Sequence, residues 1–306
     1  MNSAYIGKLM ELAERDERVI HLLADSGTGY DEMFRRNFPD RIYNFGIAEE
    51  NMVAAAAGMA SAGKIPFVFT AGAFLAYRSM EFIRDDVCFQ NLNVKIVGMG
   101  SGLSWSSLGP THHTTEDIAV LRSIPNLMIL SPATPRQVAW CVEKAYEHNG
   151  PVYIRIGMNH EREFYDDEKT QDIDVPDVLL NGRDAVIYVT GSILEEVYEA
   201  CEKLKSQGTD VKLVNVTTIK PFDEPFFLKD AASYDTVITV EEHNIHGGLA
   251  GILAEIAVFN KAGVKIVPIG IEDSFAAGYG DIKGVRKANG LDADSIYEKI
   301  RKSLGR

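Results

Sequence analysis

An α/β protein built from two open parallel or mixed sheets is what this sequence predicts, and three observations carry the prediction. Short runs of β-branched and aromatic residues, many closed by glycine- or serine-rich turns, alternate with segments of helical periodicity. That alternation is the pattern of a parallel sheet covered by helices on both faces. The length of 306 residues suits two domains, each able to bury its own core. Between residues 161 and 182 the rhythm breaks. Glu161 to Asp177 holds eight acidic residues and a proline among few hydrophobes, the composition of an exposed connector. The expected organisation is a first α/β domain over 1–160, an acidic linker over 161–182, and a smaller α/β domain over 183–306.

Taken in order, residues 4–15 read as an amphipathic helix with Ile6, Leu9, Met10 and Leu12 on its apolar face. Residues 19–24 are a buried strand that ends in the turn Asp25-Ser-Gly-Thr-Gly29. Asp25 therefore sits at the carboxyl end of a strand, where open α/β sheets place their ligands, although an aspartate there can equally serve the turn itself. Strands follow over 41–45, 65–70, 94–98, 127–130 and 152–156, with helices from Glu49, over 71–82 and from near Pro135. Beyond the connector, strands over 185–190, 211–216, 236–240 and 265–270 alternate with helices near 193–207, 223–232, 247–261 and 292–304.

Composition excludes several function classes. Hydrophobic residues at 46% and charged residues at 25% are ordinary for a globular protein. A net charge of −13 leaves no basic patch for nucleic acid or anionic membranes, while small anionic substrates stay open. Cys88, Cys141 and Cys201 are far apart and not in metal-ligand spacing, which suggests a reducing, cytoplasmic setting. No apolar signal core follows Met1, and no apolar run reaches the roughly 18 residues of a membrane span.

The chemistry concentrates in the first domain. Glu49 and Glu50 open a helix that continues as Val53-Ala-Ala-Ala-Ala-Gly58, small and apolar with no room for a polar face. Two acidic residues in a first turn can simply complement the helix dipole. With Phe45-Gly46-Ile47 before them, one carboxylate is instead expected in an apolar setting, where it holds a proton near neutral pH. His112 and His113 end a long Gly/Ser loop, a place for acid–base work or substrate hydrogen bonding, for a plain surface histidine, and less readily for a metal. Phe74 and Tyr77, three apart on the expected helix, share a face that is either core or a wall for a flat ring. Glu241-Glu-His243-Asn-Ile-His246 looks like a ligand cluster, yet it closes a strand and opens a helix, so no metal is assigned to this chain.

Gly46-Ile47-Ala48-Glu49, Gly109-Pro110-Thr111-His112 and the aromatic pair resemble motifs of the transketolase family of thiamine-diphosphate enzymes. The resemblance covers essentially this whole chain but only the later half of a full transketolase. It implies that Glu49 hydrogen-bonds the cofactor's aminopyrimidine, that Phe74 and Tyr77 pack against it, and that His112 contacts the donor sugar; Asp25, from its place at a strand end, is the further cofactor-binding candidate. His113 and Arg155 are the further substrate-binding candidates. The family's Gly-Asp-Gly with a later Asn, which holds Mg2+ and the diphosphate, is absent. The implied protein is the C-terminal subunit of a split transketolase. An N-terminal partner would supply the diphosphate domain and Mg2+, in an α2β2 assembly acting on small sugars. Leu108, Gly100 and Met158 stand where the family has an aspartate, a histidine and an arginine, so a phosphosugar donor does not follow; Arg155 or His160 would have to compensate, unless Arg155 is structural. Rival readings are the β subunit of a 2-oxo-acid dehydrogenase decarboxylating component, a deoxyxylulose-phosphate-synthase-like enzyme, and a non-catalytic scaffold subunit.

Overall fold

The computed structural model describes residues 1–25, 29–158, 161–166 and 172–306. Its strands are β1 (Val19–Leu23), β2 (Ile42–Asn44), β3 (Ile65–Ala71), β4 (Lys95–Met99), β5 (Met128–Leu130), β6 (Val152–Ile156), β7 (Asp177–Leu180), β8 (Ala185–Thr190), β9 (Val211–Asn215), β10 (Thr218–Lys220), β11 (Thr236–Asn244) and β12 (Lys265–Ile271). They form a sheet in the order β10-β5-β6-β4-β3-β1-β2 and a second in the order β12-β11-β8-β9-β7. Strands β1 to β6 are mutually parallel. Every residue of β1, β3, β4 and β6 is buried, as expected of strands covered on both faces. Two α/β halves with mixed sheets are thus observed.

The helices of the first half are α1 (Asn2–Arg15), α2 (Gly29–Asn37), α3 (Glu49–Ser61), α4 (Met80–Phe82), α5 (Asp117–Leu121) and α6 (Pro135–Glu147). Local sequence explains their starts. Thr134 caps α6 by accepting a hydrogen bond from the Gln137 amide at 3.2 Å, with Pro135 at the first helical position. Helix α3 has no side-chain cap; it begins straight out of a tight turn in which the Ala48 amide reaches the Gly46 carbonyl at 2.8 Å.

Three departures from expectation have physical causes. The helix expected over 71–82 is instead a pair of wide π-type turns, Phe74–Arg78 and Ile83–Cys88, around the short α4. The expected linker 161–182 is irregular at 161–166 and 172–176, but 177–180 is strand β7, paired antiparallel with β9. Its acidic start hides the apolar Val178-Leu179-Leu180. Strand β10 lies beyond that linker yet joins the first sheet, antiparallel to β5, with Thr218 opposite Leu130. One sheet therefore draws strands from both sides of the connector.

The parallel strands reverse their order of addition between β1 and β3, so a crevice opens at their carboxyl ends, the usual ligand position in such sheets.

Candidate active site

Ends of β1, β3 and β4, together with the start of α3, converge on a cavity of about 340 Å³. Asn44, the last residue of β2, organises its floor. Its Oδ1 accepts from the Asp25 amide at 3.1 Å and from the Gly46 amide at 2.9 Å. Asp25 takes a left-handed φ of 47° and Gly46 one of 69°. Glycine adopts that conformation freely, whereas an aspartate there costs energy and marks a constrained position. Asp25 lines the cavity.

Glu49, at the first position of α3, also lines the cavity and is only 1% exposed. One of its oxygens, Oε2, accepts a hydrogen bond from Arg78 Nη1 at 2.6 Å. The Arg78 side chain is 41% exposed, and its guanidinium lies 4.8 Å from the centroid of Phe74. Phe74 is in turn edge-on to His112, with centroids 5.2 Å apart, and His112 stands 6.1 Å from Trp105 in the same manner. His112 Nδ1 is 2.9 Å from Thr111 Oγ1. Phe74, His112, Trp105, Leu108 and Met158 all line the cavity, which is mostly apolar. Water excluded from such a space leaves a carboxylate and an imidazole to act at short range on a bound molecule.

The structure separates several residues that the sequence grouped. Tyr77 does not line the cavity: its hydroxyl donates to Glu116 Oε2 at 2.7 Å and accepts from the Glu116 amide at 3.0 Å. Burial, then the nearby Asp117 and Glu116 charges, push its pKa well up. The cause is the π-type turn. Its i to i+5 bonds widen the repeat, so the residue that shares a face with Phe74 is Arg78, four along, and not Tyr77, three along. His113 is not among the residues lining the cavity either. It is buried without a hydrogen-bond partner on either ring nitrogen, and burial lowers its pKa below 6.5. Arg155 is the third correction. Its Nε and Nη2 bind the two oxygens of Asp117 at 2.9 and 3.1 Å, and Nη2 also reaches the Thr114 carbonyl at 3.2 Å. It is buried, its Nη1 lies 3.5 Å from Ser131 Oγ, and it is not among the residues lining the cavity. His160 lies outside the described residues.

Glu241 and His243, in the run that looks like a ligand cluster but is assigned no metal, make local contacts: His243 Nε2 accepts from the Ala119 amide at 3.3 Å. The Glu241 carboxylate caps the helix Leu249–Phe259, accepting from the amides of Leu249 and Ala250 at 2.8 and 3.0 Å. Among the described residues no group of three or more His, Cys, Asp or Glu is placed to hold a metal ion. Nor is any described helix long and apolar enough to cross a membrane.

Residues that sequence reasoning missed are Asn44, Arg78 and Trp105. Asn44 had one usable signal, its place two residues before a glycine that needs a positive φ.

Comparison with known proteins finds related domains, chains and folds. The transketolase pyrimidine-binding domain matches residues 1–160, and the transketolase C-terminal domain matches residues 177–296. An apulose-4-phosphate transketolase subunit of Actinobacillus succinogenes is 37% identical, over 92% of this chain and 90% of that protein. A 6-deoxy-6-sulfo-D-fructose transketolase subunit of a Clostridium species is 32% identical, over 90% of this chain and 85% of its own. A solved structure described as a split gene transketolase, inactive beta4 tetramer, superimposes with a TM-score of 0.90 at 32% identity, covering 99% of this chain and 98% of the other.

Proposed function

The chain belongs to the transketolase family, and on that premise we propose that it is the C-terminal subunit of a two-chain, thiamine-diphosphate-dependent transketolase. It would transfer a two-carbon ketol unit from a ketose donor to an aldehyde acceptor. The observation that carries the reading is Glu49, a carboxylate buried in the wall of an apolar cavity beside Phe74.

These residues fit one half of the cofactor. A carboxylate facing a cavity, with an aromatic side chain next to it, suits an aminopyrimidine ring and its nitrogens. The diphosphate half finds no such match. Among the described residues lining the cavity there is no lysine or arginine, and a diphosphate with its Mg2+ needs both cations and oxygen ligands. An N-terminal partner would bring the diphosphate domain and Mg2+, in an α2β2 complex in the cytoplasm. Relatives of the same length are named as subunits of a transketolase, and the all-β tetramer is named as inactive. Both descriptions support a chain that works only with a second kind of polypeptide.

Thiamine diphosphate, when bound, supplies the electron sink on which a carbon–carbon bond is cut and re-formed. The chain's own residues do the rest. Glu49 would share a proton with a ring nitrogen of the pyrimidine, and Phe74 would offer the ring an aromatic wall. Asp25 borders the same space. His112, held between Phe74 and Trp105, takes up and returns protons at substrate oxygens. Met99, Leu108 and Met158 keep water from the reacting atoms.

The test is reconstitution. This chain alone should show no ketol transfer, and mixing with an N-terminal subunit that carries the diphosphate domain should restore it together with cofactor binding. A mixture that assembles but binds no thiamine diphosphate would leave the scaffold reading standing.

A further inference from the structure

We propose that Tyr279, in the second half of the chain, is a positioning residue for His112, its ring bracing the turn from which the histidine projects. The proposal deepens the reading above and rests on it only for what His112 does to the donor.

Between Gly100, just past the end of β4, and Thr114 the chain makes two linked turns. The Trp105 carbonyl accepts from the amides of Leu108 and Gly109 at 2.9 and 3.1 Å. The Gly109 carbonyl then accepts from the amides of His112 and His113 at 2.9 and 3.2 Å. Gly109, with a left-handed φ of 76°, is therefore the joint between the turns. A tilt of its peptide moves the imidazole of His112.

The two halves of the molecule share the work of holding this loop. The first half fixes its root. The amides of Gly100 and Ser101 donate to the Ile156 carbonyl at 2.8 and 3.0 Å, and the Trp105 indole fills the space that a side chain at Gly100 would need. The second half meets the loop further along. Gly102 packs against Glu242, which is itself tied to Arg286 Nε at 2.7 Å and Ser192 Oγ at 3.0 Å. The Gly280 amide donates to the Ser106 carbonyl at 3.1 Å. Tyr279 lies on the joint itself: a Cβ added at Gly109 would come within 2.7 Å of its Cζ and closer still to Cε1. The ring thus stands where Gly109 has no side chain.

Tyr279 is itself held on both sides. Asn289 Oδ1 accepts from the Ala277 amide and its Nδ2 donates to the Ala277 carbonyl, both at 2.9 Å. Asp281 accepts from the Gly284 amide at 2.9 Å and so caps the helix Ile282–Ala288. Yet Tyr279 is 71% exposed, so its ring adds little to the core. What the ring does fix is the place of the Gly109 joint. For a group that exchanges protons with a bound molecule, a displacement of about 1 Å can cost about 10²-fold in rate.

Two measurements test the proposal. Hydrogen exchange on this chain alone needs no activity. In Tyr279→Ala the amides of residues 105–113 should exchange about tenfold faster, while those of β3 and β4 stay as in wild type. Tyr279→Phe keeps the ring carbons that meet Gly109 and should match wild type. In the reconstituted two-subunit enzyme, equally assembled, Tyr279→Ala should lower kcat/KM for ketol transfer about 10- to 100-fold. Thiamine-diphosphate affinity should be unchanged, and Tyr279→Phe should restore the rate. In a His112→Ala background Tyr279→Ala should have no further effect, the mark of two residues that act as one. Unchanged exchange at 105–113, or an equal loss of rate with and without His112, would overturn the proposal. Faster exchange as stated, in a wild-type mixture that assembles but transfers no ketol unit, would support the brace and sink the proposed activity.

Discussion

Glu49 and Asp117 are both buried carboxylates at the same end of the first sheet, yet they are held in opposite ways. Asp117 spends both oxygens on Arg155 and takes a further hydrogen bond from the Tyr153 hydroxyl at 2.8 Å. Its guanidinium partner is as deeply buried as itself. Glu49 is bonded to an arginine whose other side is in solvent, and it faces a cavity. A carboxylate satisfied on all sides is architecture, because nothing further can reach it. One left open on a cavity wall costs stability and has a use for it. The difference separates what holds the interior of the first half together from what waits for a ligand.

The largest effect that could break this comparison lies at Asp117. Asp117→Ala would strand the Arg155 guanidinium in the interior and should lower the unfolding free energy by about 3–5 kcal/mol, read by chemical denaturation. Glu49→Gln should lower it by no more than about 1 kcal/mol, since its partner is half in water. Equal losses would mean that Glu49 is structural too.

Arg78→Ala tests the loose partner itself. It should reduce stability by about 1 kcal/mol, the range of a partly exposed pair, and a loss as large as that of Asp117→Ala would contradict the contrast. Tyr77→Phe removes two hydrogen bonds to Glu116 and should cost about 1 kcal/mol while thiamine-diphosphate affinity of the mixed subunits stays unchanged. A marked fall in that affinity would restore Tyr77 to the cofactor site.

The smallest effect is a pH dependence at His113. Its folded-state pKa lies below the ordinary 6.5 because burial penalises the charged form. The unfolded chain therefore binds more protons in that window. His113 should stabilise the fold above about pH 6.5, and that contribution should be lost as pH falls from there through the folded-state pKa. His113→Gln should flatten the decline between neutral and mildly acidic pH; a profile identical to wild type would show that another group sets it.

How much of this was legible in the sequence depends on how local each cause is. Glu49 and His112 sit in unbroken runs of neighbours, Gly46-Ile47-Ala48 and Gly109-Pro110-Thr111, and such context is written into the chain. The alternation of strands and helices was legible for the same reason. Arg155 was misread because its partner, Asp117, is 38 residues away, and no spacing rule joins them. Tyr77 was misread because residues 74–78 form a π-type turn, and helical arithmetic assumes the narrower repeat. Trp105 depends on the absence of a side chain at Gly100, a complementarity that exists only in three dimensions. Strand β10 shows the same limit at the level of topology: three residues gain a place in the first sheet through pairing with β5, and their own pattern says nothing of where they go.

Glu49→Gln in the reconstituted two-subunit enzyme puts the account to its most direct trial. Assembly and unfolding should match wild type, and ketol transfer should fall about 10²–10⁴-fold, the usual contribution of a positioned proton donor or acceptor. Turnover close to wild type in a correctly assembled enzyme would contradict it.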